Sequence, residues 1–263
     1  MVDGTVLWSW IGKAAGLLIL AFLLLPIFAI IPLAFNEGSI VAYPLTGFST
    51  KWFAAVFSNS RWPLAIGNSL LVAGGTVLLA VPLGTLAALG LERLHFPGKA
   101  LLAAIMISPM IVPVIITAVG TYFFFAPLGL ANSLIGLIIA HTAIAVPFVF
   151  VTVSASVSQL DRRLQRAASS LGAAPFSVFY RVTFPLIMPG VVSGTIFAFA
   201  ASLDEVVIAM MITGVGQRTL PRELLSGARE NLDPTVLAVA TIIIAFSGGL
   251  LMLLTLMKRH SED

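Results

Sequence analysis

Long, uninterrupted apolar runs constrain this chain more than any other feature. A helix needs about 20 consecutive apolar residues to cross a bilayer, and about six stretches reach that length: roughly 14–35, 65–90, 100–125, 132–156, 186–211 and 236–257. In hydrocarbon every backbone N–H and C=O must be paired, which leaves helices and closed barrels as spanning structures. The runs lack the ~10-residue alternation of a lipid-facing barrel strand, so they read as helices. Hydrophobic residues make up 59% of the chain and charged ones 10%, too few polar groups to cover a soluble surface. The expected fold is therefore an all-α integral membrane protein of about six transmembrane helices. Pro26, Pro82, Pro113 and Pro147 fall inside runs, where kinks rather than breaks in the topology are expected.

Orientation follows from the basic residues. With both termini cytoplasmic, the inner segments hold Lys13, Arg93, Lys99, Arg162, Arg163, Arg166, Arg181, Lys258 and Arg259. The outer ones then hold Lys51, Arg61, Arg218, Arg222 and Arg229. That excess inside is the usual bias, and it accounts for the net charge of +3 without a clustered basic face, so no nucleic-acid surface is expected. The first run follows Lys13 as a secretory signal would, but it is longer than a 7–15-residue signal core and lacks an A-x-A end. A retained anchor is expected. Cysteine is absent, so disulfides and thiolate metal sites are excluded.

The chain divides by sequence into three parts: a transmembrane anchor and external interfacial segment over 1–64, a transmembrane domain over 65–257, and a tail over 258–263. Within 36–64, Trp52 and Trp62 suit a membrane–water interface, and a surface amphipathic helix is expected there. The longest polar interruption of the second part is the loop 158–184. Asp161 is placed to cap a helix whose Leu164, Ala167, Ala168 and Leu171 share one face. Gly172 suits its C-cap, and Pro175 prevents one unbroken continuation.

The stretch from Arg166 to Pro185 places Ala167 and Ala168 four to five residues before Gly172, and Pro185 thirteen residues after it, with Val182 and Phe184 ahead of the proline. This spacing resembles the EAA loop of ABC-importer permeases, except that Arg166 stands where that loop begins with an acid. The run Ser202 to Ala209, followed by Thr213-Gly214, is similar to the spermidine/putrescine-type branch, which also serves opines and related nitrogen compounds. The resemblance implies a type I permease architecture with a cytoplasmic coupling helix at Arg166, Ala167, Ala168, Gly172 and Pro185. It also implies a second permease subunit, two ATPase subunits and an extracytoplasmic binding protein, all at a bacterial cytoplasmic membrane. No G-x-x-x-x-G-K-[ST] motif is present, so ATP and Mg would belong to the ATPase partners, with no cofactor or metal in this chain.

Asp204 and Glu205 lie within the fifth expected span, where a charge near the bilayer centre costs at least about 2.5–3.5 kcal/mol. Either the acids pair with an Arg, a backbone donor or interfacial water, or at least one faces the translocation path and attracts a cationic amine. Adjacent helical positions point about 100° apart, so the two are expected to divide these roles.

Three other patterns need weighing. Gly67-Asn68-Ser69-Leu70 and His141 supply the residue types of an intramembrane serine protease, though Ser in a span more often packs helices. A secondary transporter without an ATPase is the main alternative, but the halves show no repeat and the polar loop has no role under it. His95 and His260 sit in basic flanks, and no H-E-x-x-H metal motif occurs. Gly190-Val191-Val192-Ser193-Gly194 is a G-x-x-x-G that permits close helix approach, either within the subunit or against a paired permease.

Overall fold

The computed structural model describes residues 4–93, 96–230 and 234–260; His95 and the end of the tail, 261–263, lie outside the described residues. The elements are helical throughout: α1 Gly4–Ala34, α2 Lys51–Ser58, α3 Arg61–Arg93, α4 Lys99–Ile111, α5 Val114–Phe125, α6 Leu134–Ser158, α7 Arg162–Ser170, α8 Pro175–Val178, α9 Phe184–Asp204, α10 Val207–Ile212, α11 Leu220–Glu230 and α12 Pro234–His260. Extended pairing among the described residues is limited to one bridge between Asn36 and Phe48.

Among the described residues, four helices are long and apolar enough to cross a membrane, and a bent pair makes up to a fifth. The expected count of six is therefore not matched exactly. The third expected span, 100–125, is this pair: α4 and α5 meet at 103°. Pro113 is the reason, because it has no N–H for the carbonyl of Pro109 one turn earlier and its ring forces Val112 out of the helix. Val112 is extended, with ψ 131. Pro26, Pro82 and Pro147, by contrast, sit inside unbroken helices. The fifth expected span, 186–211, also divides, ending at Asp204 and resuming at Val207.

The chain falls into two compact units, residues 1–63 with 224–263 and residues 64–223. In the first, α12 packs on α1 and α2. The indole N–H of Trp52 donates to Asn36 O at 2.8 Å and that of Trp62 to Thr235 Oγ1 at 3.0 Å, so both indoles find partners for their polar ends. The helix expected in 36–64 is α2.

In the second unit, α6 and α9 form the central pair. Their contact explains the G-x-x-x-G. A Cβ at Gly190 would lie 2.3 Å from Ser156 Oγ and 2.7 Å from Thr152 O, and one at Gly194 would lie 2.6 Å from Thr152 Oγ1 and 3.0 Å from Val149 Cα. The motif thus packs within the subunit, against α6. Around this seam lie buried Ala80, Ala145, Val149, Val153, Ile187 and Ala198. A second cluster, with Val72, Ala118, Leu137, Ile208 and Ile212, holds α10 against its neighbours α5 and α6.

Candidate functional site: an exposed loop and a helix break

Local chemistry builds the loop. Asp161 Oδ1 accepts from Arg163 N at 2.9 Å and caps α7. At the other end Gly172 has φ +84, Gly172 N donates to Ser169 O at 3.0 Å and Ala173 N to Ala168 O at 3.2 Å. These bonds form a Schellman end, whose left-handed residue favours glycine. Pro175 then opens α8 at a first-turn position, where its missing N–H is harmless. Gln165 Nε2 donates to the buried Thr183 Oγ1 at 3.0 Å and ties α7 to the following helix.

The face expected to be apolar on α7 is left open within this chain. Leu164 and Ala167 are exposed, Ala168 is half-buried, and Leu171 is 89% exposed. Phe176 and Tyr180 stack at 5.8 Å and are also exposed. Arg166 is exposed too and borders an open hollow of about 640 Å³ with Gln165, Ser169 and Ser170. Pro185 lies exposed in the first turn of α9. The loop thus presents a small-residue turn flanked by uncovered apolar side chains, and Arg166 has no hydrogen-bond or ion-pair partner among the described residues.

The chain leads from this loop directly to the second place of interest. From Pro175 to Asp204 the backbone is one continuous helix of 30 residues, passing through a π-helical segment at Phe179–Thr183. At 1.5 Å per residue it reaches about 45 Å. Its far end carries the two acids, which therefore stand at a helix break rather than inside a span.

The acids do different things. Glu205 has extended backbone, ψ 112, and its Oε1 accepts from Val207 N at 2.7 Å and Ile208 N at 2.9 Å. It satisfies two donors that the start of α10 leaves open. Asp204 is exposed and has no hydrogen-bond or ion-pair partner among the described residues. It ends α9, where unpaired carbonyls give the helix terminus its partial negative charge. A carboxylate and a carbonyl cluster at one point favour a cation.

The basic residues near the break are already engaged. Arg222 donates to Thr213 O, Thr213 Oγ1 and Gly214 O, closing the end of α10. Burial chiefly, and the neighbouring Arg218 second, lower its pKa, while Glu223 opposes them; a guanidinium remains charged regardless. Arg218 Nη1 pairs with the buried Glu223 at 3.2 Å. Asn68 Nδ2 donates to Gly216 O at 3.3 Å and Arg218 O at 3.0 Å, and Ser69 Oγ accepts from Leu220 N at 2.8 Å. Ser69 is therefore a helix-capping group. His141 lies elsewhere in the bonding pattern, its Nδ1 2.8 Å from Ser202 Oγ, so the protease pair is not assembled. Sequence reasoning missed these long-range bonds, for which only the presence of polar residues in apolar runs was a signal.

Residues 80–260 match the family described as the binding-protein-dependent transport system inner membrane component. The chain is 33% identical over 234 residues to the putrescine transport system permease protein PotI of Escherichia coli (strain K12), covering 86% of this chain and 83% of that one. It is 32% identical over 244 residues to the spermidine/putrescine transport system permease protein PotC of Haemophilus influenzae (strain ATCC 51907 / DSM 11121 / KW20 / Rd), covering 92% and 94%. Its fold matches a chain in the crystal structure of a bacterial ABC transporter involved in the import of the acidic polysaccharide alginate, with TM-score 0.76, 13% identity and 98% of each chain covered.

Proposed function

We propose that this chain, which belongs to the family of binding-protein-dependent transport system inner membrane components, forms one half of the translocation path of an ATP-driven importer for a cationic amine of the spermidine or putrescine class. The relatives named for putrescine and spermidine/putrescine transport support the solute class. The observation that carries the reading is Asp204: an exposed carboxylate without a partner among the described residues, at the end of α9, beside a Glu205 already committed to capping α10. An ammonium group entering the path would meet a charge that no side chain of the described protein neutralises.

In this reading the chain performs no bond chemistry. Two ATPase subunits bind ATP and Mg, a second permease completes the path, and a binding protein delivers the amine from outside. The loop around Arg166, Ala167, Ala168 and Gly172 docks on an ATPase through its open apolar face. Closure of the ATPases displaces the loop, and the helix Pro175–Asp204 carries that displacement to the break. The path acid then alternates between outward and inward openings. Both termini face the cytoplasm under the positive-inside assignment.

The test is amine uptake by the complete importer with Asp204→Asn. This change keeps the size of the side chain and removes its charge. The expected result is normal assembly with at least about a tenfold loss in kcat/KM, the effect of about 1.4 kcal/mol of charge–charge attraction. Wild-type kinetics in that variant would remove the path role.

A further inference from the structure

Ser202 stands in the last turn of α9, two residues before Asp204. Its hydroxyl is 2.8 Å from Nδ1 of His141 on α6 and 3.4 Å from Thr76 Oγ1 on α3. His141 and Thr76 are fully buried and Ser202 nearly so. Three polar side chains in an apolar bundle thus converge on the turn that ends at the break. An apolar residue of similar volume at 141 would pack as well, so packing alone does not explain a histidine there. Nor is the ring satisfied all round: Nε2 is buried and has no hydrogen-bond partner among the described residues. Among the described residues its one direct hydrogen bond is the contact with Ser202.

That bond lies where orientation matters. After Ser202, α9 loses its internal hydrogen-bond partners at Glu205, and α10 starts on the Glu205 carboxylate. Rotation of the last turn about the helix axis would carry Asp204 round by about 100° per residue of slippage. Ser202 is the nearest side chain to Asp204 on α9 with a hydrogen bond to another helix. We infer that His141 is a positioning residue which, through Ser202, holds the terminal turn of α9 so that Asp204 faces the path. The proposal rests on the reading of Asp204 as the path acid for its consequence in transport, while the placement itself is testable without any solute.

The chain contains no cysteine, so Asp204→Cys supplies a single thiol at the break. In the complete importer, its rate of reaction with a small cationic methanethiosulfonate reagent is followed as the mass shift of this chain. His141→Leu, which removes the bond, is expected to raise that rate about fivefold or more, the lower end of ordinary coupling between sites. His141→Asn, whose amide replaces the Nδ1 group, keeps it within about twofold of the parent, and His141→Leu with Ser202→Ala is no faster than either alone, as one shared interaction requires. A thiol in Val215→Cys, at a position 80% exposed, reacts at an unchanged rate. If His141→Leu does not assemble, Ser202→Ala, which deletes one hydroxyl, carries the same expectation. An unchanged rate at the break, a rate in His141→Asn equal to that in His141→Leu, or a rise at Val215→Cys as well would overturn the inference. A wild-type importer that moves no amine would instead defeat the solute reading and leave the labelling result standing.

Discussion

Gly172 separates a fault within the permease from a fault in its docking. Its φ of +84 is the left-handed region, and beyond its two chain neighbours no heavy atom of the described residues lies within 4 Å of a Cβ built there. A side chain at 172 therefore meets no obstacle from other parts of the described chain. Its cost is conformational, about 1–2 kcal/mol for a residue other than glycine in that region and less for Asn or Asp. Leaving the region would break the bonds from Gly172 N to Ser169 O and from Ala173 N to Ala168 O, at about 1 kcal/mol each. The variant should hence keep the turn and lose about 1 kcal/mol, small beside the 5–15 kcal/mol of an ordinary fold. Any larger effect has to come from outside the chain, where a docked ATPase would close on the turn. The assay compares Gly172→Ala, Gly172→Asn and Gly172→Asp for membrane amount, thermal midpoint, uptake and substrate-stimulated ATP hydrolysis. All three should insert and assemble. The Ala variant should keep most uptake, and the Asn and Asp variants should lose coupling, Asp most. Normal uptake and normal stimulated hydrolysis in Gly172→Asp would refute the docking argument.

Two further outcomes follow from packing and capping. Gly194→Leu should cost at least about 1–3 kcal/mol from overpacking, because Val149 Cα is 3.0 Å from the added Cβ and cannot rotate away; a lowered thermal midpoint of the purified complex checks this, with Gly67→Leu, where the space is open, as the unaffected control. Glu205→Ala should cost about 0.5–2 kcal/mol, as loss of a helix cap does, with Glu205→Gln close to wild type because its amide oxygen can still accept from Val207 and Ile208; equal midpoints for Glu205→Ala and wild type would remove the capping role.

What was legible in the sequence was what depends on neighbours along the chain. Asp161, Gly172 and Pro175 mark the ends of α7 and the start of α8 by side-chain capping, positive φ and a locked φ, each set by one residue and its immediate context. The apolar runs located the membrane helices for the same reason. The break after Asp204 was not legible: no Gly or Pro marks it, and the helix restarts because the Glu205 side chain turns onto Val207 N and Ile208 N. Pro113 and Pro147 look alike in the sequence, but the helix breaks just before Pro113, where Val112 is extended, and runs on through Pro147. The roles of Ser69, Asn68, Arg222 and His141 depend on partners brought near by packing, which one-dimensional spacing does not encode. The glycines of the G-x-x-x-G were visible as a close-approach surface, and the structure identified α6 as the surface they meet.

The most direct test of the account is uptake in proteoliposomes holding this chain with its partner permease, its ATPases and the binding protein, supplied with labelled spermidine or putrescine. The account predicts accumulation only when ATP and Mg are on the ATPase side, and no accumulation when the ATPases are omitted. It also predicts competition by other polycationic amines and none by a neutral diol of the same length. Amine accumulation that persists without the ATPases or ATP, or competition by the diol equal to that of the amines, would contradict it.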